Sequence, residues 1–398
     1  MSYKKILILG AGKFHLPIIQ QLVDAGFFVL ACDRDSLAPG AEFANVFRPI
    51  DISDADSVLA WARSEKIDGI LPISEFGTRT AAKVANELGL PGISLDFVDC
   101  VNDKGLMRDS WKRSNLSQPD YSVVGDFETL AAAAALIGYP VVVKPTDSGG
   151  SGRGVSLAHS PDELQWSFDL AAPFVKNGRY IVEEFLDGVE LTVETFTQPG
   201  GNTYILTMSD KVKAPLRTRV ASSLNFPANI SDEMADKVEK LVINAISSLG
   251  ISLGMAHTEL IVTKDGPFLV ETGARGGGGH IFHTIIEAVS SFRAPLFAAM
   301  ATCGMLIDMP KLKKRGAVYR FFTPPEGILS AVVNLAEARL IPGVLDIGLN
   351  KKVGDRINQL DNSLERVGYV VTSGETREDA IRLADRVNEL VRFVVRCE

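Results

Sequence analysis

Two glutamates pose the first chemical question in the chain. From His257-Thr-Glu259 an apolar alternating run turns at Lys264-Asp265-Gly266 and returns to Val270-Glu271, with both glutamates equidistant from Asp265. A hairpin with a three-residue loop, and Gly266 at its left-handed position, sets Glu259 and Glu271 opposite each other. Like charges facing across a ladder repel unless a cation lies between them. Hard oxygen donors that leave room for water and phosphate oxygens suit Mg2+, with Mn2+ as a substitute. The competing interpretation is a pair of exposed glutamates on a wet sheet face. His257 shares a strand face with Glu259 by the period of two, so it is either a substrate contact or an ordinary half-buried histidine.

A second group of residues suggests phosphate binding. The loop Thr146-Asp-Ser148-Gly149-Gly150-Ser151-Gly152-Arg153-Gly154 holds four glycines, two serines and an arginine between two strand patterns. Few side chains leave many N–H groups free to fold over a polyphosphate, and Arg153 adds charge. No Gly-Lys-Ser/Thr follows, so it is not a P-loop. A plain surface hairpin is the alternative. Lys144 tips the balance, because it ends the apolar run Val141-Val-Val-Lys144 just before the loop, where a solvated lysine is unusual. After the carboxylate hairpin, Arg275 precedes Gly276 to Gly279, and it is either a neutraliser of phosphoryl charge or an exposed loop arginine. Glu183-Glu184-Phe185-Leu186 ends one strand and Glu190 begins the next. Such a hinge offers backbone groups to a purine edge and a carboxylate to ribose hydroxyls.

Gly10-x-Gly12 after the first strand, with Asp33 ending the second, is a partial dinucleotide fingerprint, but His15 replaces the third glycine. NAD binding by a dehydrogenase is therefore a minor alternative to a first turn that needs small residues or lines a substrate pocket.

These groups need elements to hold them. The first hundred residues alternate strands at 4–9, 28–32 and 68–71 with helices to Gly26, at 54–65 and at 77–89, which makes a small doubly wound unit. A helix near 101–114 comes next. Strands at 140–144, 154–157, 179–183, 189–197, 203–209, 255–263 and 267–272, with helices at 160–176 and 231–249, predict a mostly antiparallel sheet. Beyond the basic run Lys311–Arg315, strands near 316–322, 343–350 and 366–372 precede a closing helix across 376–394.

Length and composition set outer limits. A chain of 398 residues favours two or three domains, and 46% hydrophobic with 23% charged residues fits a globular protein. A net charge of −8 argues against nucleic-acid or anionic-membrane partners. The four cysteines lack CxxC spacing, so a cytoplasmic location is expected. The run Ile6 to Leu9 is too short for a signal core, and no membrane span is expected.

Taken in order, Lys104, Lys144-Pro145, the glycine loop, Glu184-Phe-Leu186, Glu190, Glu259 and Glu271-x-x-x-Arg275 resemble the ATP-grasp superfamily over roughly residues 1–300. The segments around His257-Thr-Glu259 and Glu271–Arg275, Ile341–Val344, Val367–Tyr369 and the Thr376–Ala380 helix are similar to the L-amino acid (dipeptide) ligase group. The resemblance implies an α/β protein, α+β in its ATP-binding part, with three domains. These are a Rossmann-like pre-ATP domain at 1–100, an ATP-grasp domain at 101–310 with its glycine loop and adenine hinge at 146–186, and a C-terminal α+β ligase domain at 311–398. It further implies that Lys104 and Lys144 contact ATP phosphates, that Glu183 to Leu186 and Glu190 hold the nucleoside, and that Glu259 and Glu271 bind Mg2+. Gly273 stands where many members carry an asparagine beside the second Mg2+.

The reaction implied is ATP-dependent joining of a small-molecule carboxylate to an amine through an acyl phosphate. Arg275 and Lys144 would be catalytic. Arg217 or Arg219, in the basic segment Lys211 to Arg219, would join Arg275 and His257 at the substrate. A homodimer is compatible with this picture. The rival functions are a purine-pathway ligase of the phosphoribosylamine–glycine ligase type and a non-catalytic ATP sensor.

Overall fold

The computed structural model describes residues 3–147, 149, 152–213, 220–360 and 363–396. Of the residues singled out in the sequence, Ser148, Gly150, Ser151, Arg217 and Arg219 lie outside these.

Lys5–Leu9 lies between Phe28–Cys32 and Gly69–Pro72 in a four-stranded parallel sheet whose far edge is Val46–Arg48. The unbroken apolar run Ile6 to Leu9 is explained by burial on both faces. Ile6 and Ile8 pack with Phe282, Phe292 and Ala298 from the central part of the chain. Leu7 and Leu9 meet Trp61 and Val84 of the flanking helices Ala55–Glu65 and Thr78–Leu88. A shared core thus welds the amino-terminal unit to the central part of the chain.

A second, four-stranded antiparallel sheet runs Tyr121–Val124, Tyr180–Glu184, Val141–Pro145, Ser156–Ala158 and carries the glycine loop between its last two strands. Its first strand, Tyr-Ser-Val-Val, is too short to show a period. The helix expected over 160–176 is shorter, Leu164–Ala171, flanked by single turns at Pro161–Glu163 and Ala172–Phe174, where Pro173 stops it.

The main sheet has eight strands in the order Gly266–Gly273, Gly254–Thr263, Val189–Thr197, Thr203–Lys213, Ala221–Phe226, Gly316–Phe321, Gly368–Gly374 and Val344–Leu349, every neighbouring pair antiparallel. It runs straight across residue 310, because Ala221–Phe226 finds its second partner in Gly316–Phe321. Helix Asp232–Ser248 covers one face, with Val238, Leu241, Val242 and Ala245 against Leu191, Leu260 and Leu269. The closing helix ends at Leu390 rather than 394, and Arg392–Arg396 becomes a strand beside Gly327–Val333. Alternating Arg-Phe-Val-Val-Arg favours a half-buried strand once a sheet edge is there to receive it. Among the described residues, no single helix is long and apolar enough to cross a membrane.

Candidate active site

Glu259 and Glu271 do face each other across the hairpin. The route differs from the three-residue loop inferred from sequence. Thr263 pairs with Gly266, so the loop is the two residues Lys264 and Asp265, and Leu260 pairs with Leu269. A bulge beside Leu260 then advances the register by one residue and restores Glu259 opposite Glu271.

Lysines neutralise both carboxylates. Lys211 Nζ lies 2.6 Å from Glu259 Oε1 and 2.8 Å from Glu190 Oε1, and Lys213 also pairs with Glu190. Lys104 Nζ lies 2.9 Å from Glu271 Oε1. Its backbone amide donates to Thr146 O at 2.9 Å, which ties the helix Lys104–Arg113 to the root of the glycine loop. Burial alone would raise the Glu259 carboxyl, yet Lys211 and His257 beside it hold it well below the usual carboxylate range. Glu190 behaves likewise, lowered against burial by Lys211 and Lys213. The site is therefore organised around anions that need positive charge, and these oxygens fit a divalent cation. Gly273 leaves space bordered by Arg275 Cγ and Glu75 Oε1, at 3.5 and 3.7 Å from where a Cβ would stand.

His257 is buried, and its Nδ1 pairs with Glu194 while Nε2 lies 3.5 Å from Glu259 Oε1. Burial opposes its protonation, but Glu194 overcomes this and lifts the imidazole to about 9. Arg275 Nη2 contacts Glu75 Oε1 at 2.5 Å, and Arg275 Nη1 donates to Gly276 O at 2.9 Å. Glu75 sits in the turn after Gly69–Pro72, at the carboxyl end of the parallel sheet, where ligands gather in open α/β folds. A polar cavity of about 160 Å3 opens there, lined by Glu75, Phe76, Arg79, Lys104, Lys176 and Glu271 among others.

Lys144 is buried at the end of its strand, its Nζ 2.5 Å from Glu183 Oε2. Glu183 is also buried and is shared with Arg108, whose Nη2 lies 2.8 Å away. Burial would raise this carboxyl, but the two cations hold it down at about 2. The Glu183 side chain is thus engaged by Lys144 and Arg108 in this structure. Beyond it, Glu184 N donates to Asp120 O at 2.8 Å and Phe185 N to Pro140 O at 3.3 Å, so neighbouring strands fix the hinge, with Leu186 buried and Glu184 exposed.

Gly149 and Arg153 of the glycine loop lie beside Phe76 of the amino-terminal unit. Arg153 Nη2 donates to Gly149 O at 2.7 Å, and its guanidinium sits 5.3 Å from the Phe76 ring centre, with Lys176 Nζ at 4.9 Å. Arg79 bridges Asp99 and Asp147 at 2.7 and 3.0 Å.

The first turn excludes a dinucleotide. Gly10 has φ +113, and a Cβ there would lie 2.3 Å from His15 Nε2, so the imidazole fills the space a pyrophosphate needs. Asp33 Oδ2 accepts from Ala11 N at 3.0 Å and is spent on the turn. His15 belongs instead to a buried side-chain cluster with His280, His283, Tyr319 and Tyr369, in which burial lowers all three histidines. Arg366 stands nearby, 3.5 Å from the Phe321 ring centre. It is lowered by burial to about 10, its Nε lacks a partner, and among the described residues no carboxylate pairs with it.

Sequence reasoning missed Glu75, Arg108 and Glu194, and it grouped Lys211 with a substrate loop although Lys211 lies within the strand Thr203–Lys213. Glu194 was within reach, since it follows Glu190 by two periods of two on a strand next to the hairpin. Glu75 and Arg108 carry no local signal.

Comparison with known proteins identifies the family of the chain and its fold. Residues 137–283 match the family model for the ATP-grasp domain, and residues 320–396 match that for L-amino acid ligase C-terminal domain 2. The formate-dependent phosphoribosylglycinamide formyltransferase of Pseudomonas entomophila is 31% identical over 396 residues, covering 98% of this chain and 96% of that protein. The protein of the same name from Ignicoccus hospitalis is 28% identical over 418 residues, covering 100% and 97%. The crystal structure of L-amino acid ligase from Bacillus licheniformis superposes with a TM-score of 0.86 at 21% identity, covering 100% of both chains.

Proposed function

The chain belongs to the ATP-grasp family of ATP- and Mg2+-dependent, ADP-forming ligases, and from that premise we propose that it joins an amino-acid carboxylate to an amine, forming a peptide-type amide. The observation that carries this reading is the polar cavity between Glu75 and the cations Arg79, Lys104 and Lys176, about 160 Å3 in volume and beside Glu271. A cavity that sets the carboxylates of Glu75, Asp147 and Glu271 among these cations complements a zwitterion, whose ammonium goes to Glu75 and whose carboxylate goes toward Lys104.

ATP held with Mg2+ supplies the phosphoryl group, and the chain's own residues arrange its transfer. Glu259 and Glu271 would hold the metal. Lys104, Lys144 and Lys211 would leave their present carboxylate partners for phosphate oxygens, and Arg275 would steady the carboxylate as it attacks the γ-phosphorus. The amine then displaces phosphate from the acyl phosphate, while the glycine loop keeps water out.

The 31% identical relative favours a second reading, a purine-pathway ligase. Arg366, a half-buried guanidinium without a carboxylate partner among the described residues, suits an anionic group on the amine substrate in either reading. That group is a phosphate if the amine is a phosphoribosylglycinamide, as in the name of the 31% identical relative, and a carboxylate if it is an amino acid.

ADP release measured over pairs of amino acids, and over formate with phosphoribosylglycinamide, tests both. ADP with amino-acid pairs and a dipeptide mass supports ligation of amino acids. ADP with formate and the ribonucleotide alone overturns it in favour of the purine reading. ATP binding without substrate-dependent ADP overturns both and indicates a sensor.

A further inference from the structure

One fully buried acid plays no part in the chemistry of phosphoryl transfer. Glu194 lies mid-strand in Val189–Thr197, is 0% exposed, and is paired in register with His257, two residues before Glu259. Its carboxylate is divided between two partners. Oε1 takes the Nδ1 edge of His257, and Oε2 accepts the Gly277 amide at 2.9 Å. A buried carboxylate is costly unless both oxygens are engaged, and here one ring and one amide engage them.

Those partners belong to different halves of the site. His257 presents its other nitrogen to Glu259, 3.5 Å away. Gly277 lies in the glycine run just after Arg275, the residue that meets Glu75. A side chain at 277 would force Glu194 or Ile281 to shift, since its Cβ would stand 2.5 Å from Glu194 Oε1 and 2.6 Å from Ile281 Cγ2. Backbone and carboxylate are packed as closely as glycine allows.

We infer that Glu194 is a positioning residue that couples the two halves: one carboxylate holds His257 against Glu259 and seats the Gly277 amide, so the loop carrying Arg275 is set by the state of the metal-binding strand. The inference rests on the reading of Glu259 as a metal ligand and of Arg275 as a substrate contact. A residue that only fills the core would affect stability alone. A coupling residue transmits a change at His257 to Gly277 through the carboxylate that both meet.

Hydrogen exchange of the amides at 276–280 in the full-length protein separates these cases without needing a substrate. Glu194→Gln turns a charge-assisted bond at Gly277 into a neutral one, and exchange there should rise roughly tenfold. His257→Gln leaves Gly277 and Glu194 in place, yet it should also raise exchange at Gly277 by severalfold. The double variant should exchange no faster than Glu194→Gln, because the path already runs through that carboxylate. With the amino-acid pair that gives the most ADP, both single variants should raise the apparent KM for the carboxylate substrate more than that for ATP. Exchange at Gly277 unchanged by His257→Gln, or additive effects in the double variant, overturns the coupling. If no pair yields ADP with the wild type, the ligase reading fails, and the exchange measurements still decide the inference.

Discussion

Replacing Lys211 with methionine tests the electrostatic construction of the site most directly. Lys211 is 11% exposed and stands between Glu190 and Glu259, which are 13% and 28% exposed. Methionine keeps most of the stem's volume and removes the charge. Removing one member of a buried ion pair costs at most about 3–5 kcal/mol, an upper bound here because Lys213 still pairs with Glu190 and His257 Nε2 still stands 3.5 Å from Glu259. For a domain larger than 150–250 residues, about 2 °C of melting temperature accompanies each kcal/mol, which gives a loss of at most roughly 6–10 °C. Mg2+ with a non-hydrolysable ATP analogue brings positive charge to the same oxygens. In the wild type that charge must displace Lys211, whereas in the variant it fills a deficit. The melting temperature gained on adding Mg2+ and analogue should therefore be larger for Lys211→Met than for the wild type, while turnover falls because a phosphate contact is lost. Differential scanning fluorimetry with and without Mg2+ and the analogue reads both numbers. A variant as stable as the wild type, or with the same ligand-induced gain, would refute the view that Lys211 occupies the place of the incoming cation.

Further expectations concern the surrounding parts. Glu271→Gln leaves Lys104 without its partner, so the metal-free protein should lose stability rather than gain it from relieved repulsion, and ADP formation should stop; denaturant unfolding and ADP assays check the two halves. Glu183 is depressed to about 2 from an ordinary value near 4.3, so its contribution to stability is complete above about pH 4.3 and is lost as pH falls through 2. Unfolding curves at stepped pH should show that loss in the wild type, and Glu183→Gln should lack it while being less stable at pH 7. Phe76→Ala removes two cation–π contacts of about 0.5–1 kcal/mol each, and proteolysis at the glycine loop should rise roughly fivefold to thirtyfold in the absence of nucleotide. NAD+ should leave the melting temperature of the wild type unchanged, since His15 fills the first turn.

The sequence by itself determined the parts whose partners are near in the chain. The amino-terminal parallel sheet showed as unbroken apolar runs, and the hairpin showed as alternation around a turn. Glu259 and Glu271 could be paired by counting because both belong to one hairpin, although the register rests on a two-residue loop and a bulge that counting does not reveal. The glycine loop and Lys144 were legible because one follows the other directly. Tertiary structure decided which charges meet. Lys211 reaches a glutamate 48 residues away, Lys104 one 167 residues away, and Arg275 one 200 residues away. It also joined strands 316–321 and 368–374 to the central sheet and gave Glu183 to Arg108 and Lys144. The physical reason is that a backbone period records only which face a residue occupies. An ion pair between distant segments depends on how separate elements pack, and a lysine in a strand pattern reads the same whether it meets water, a phosphate or a buried carboxylate.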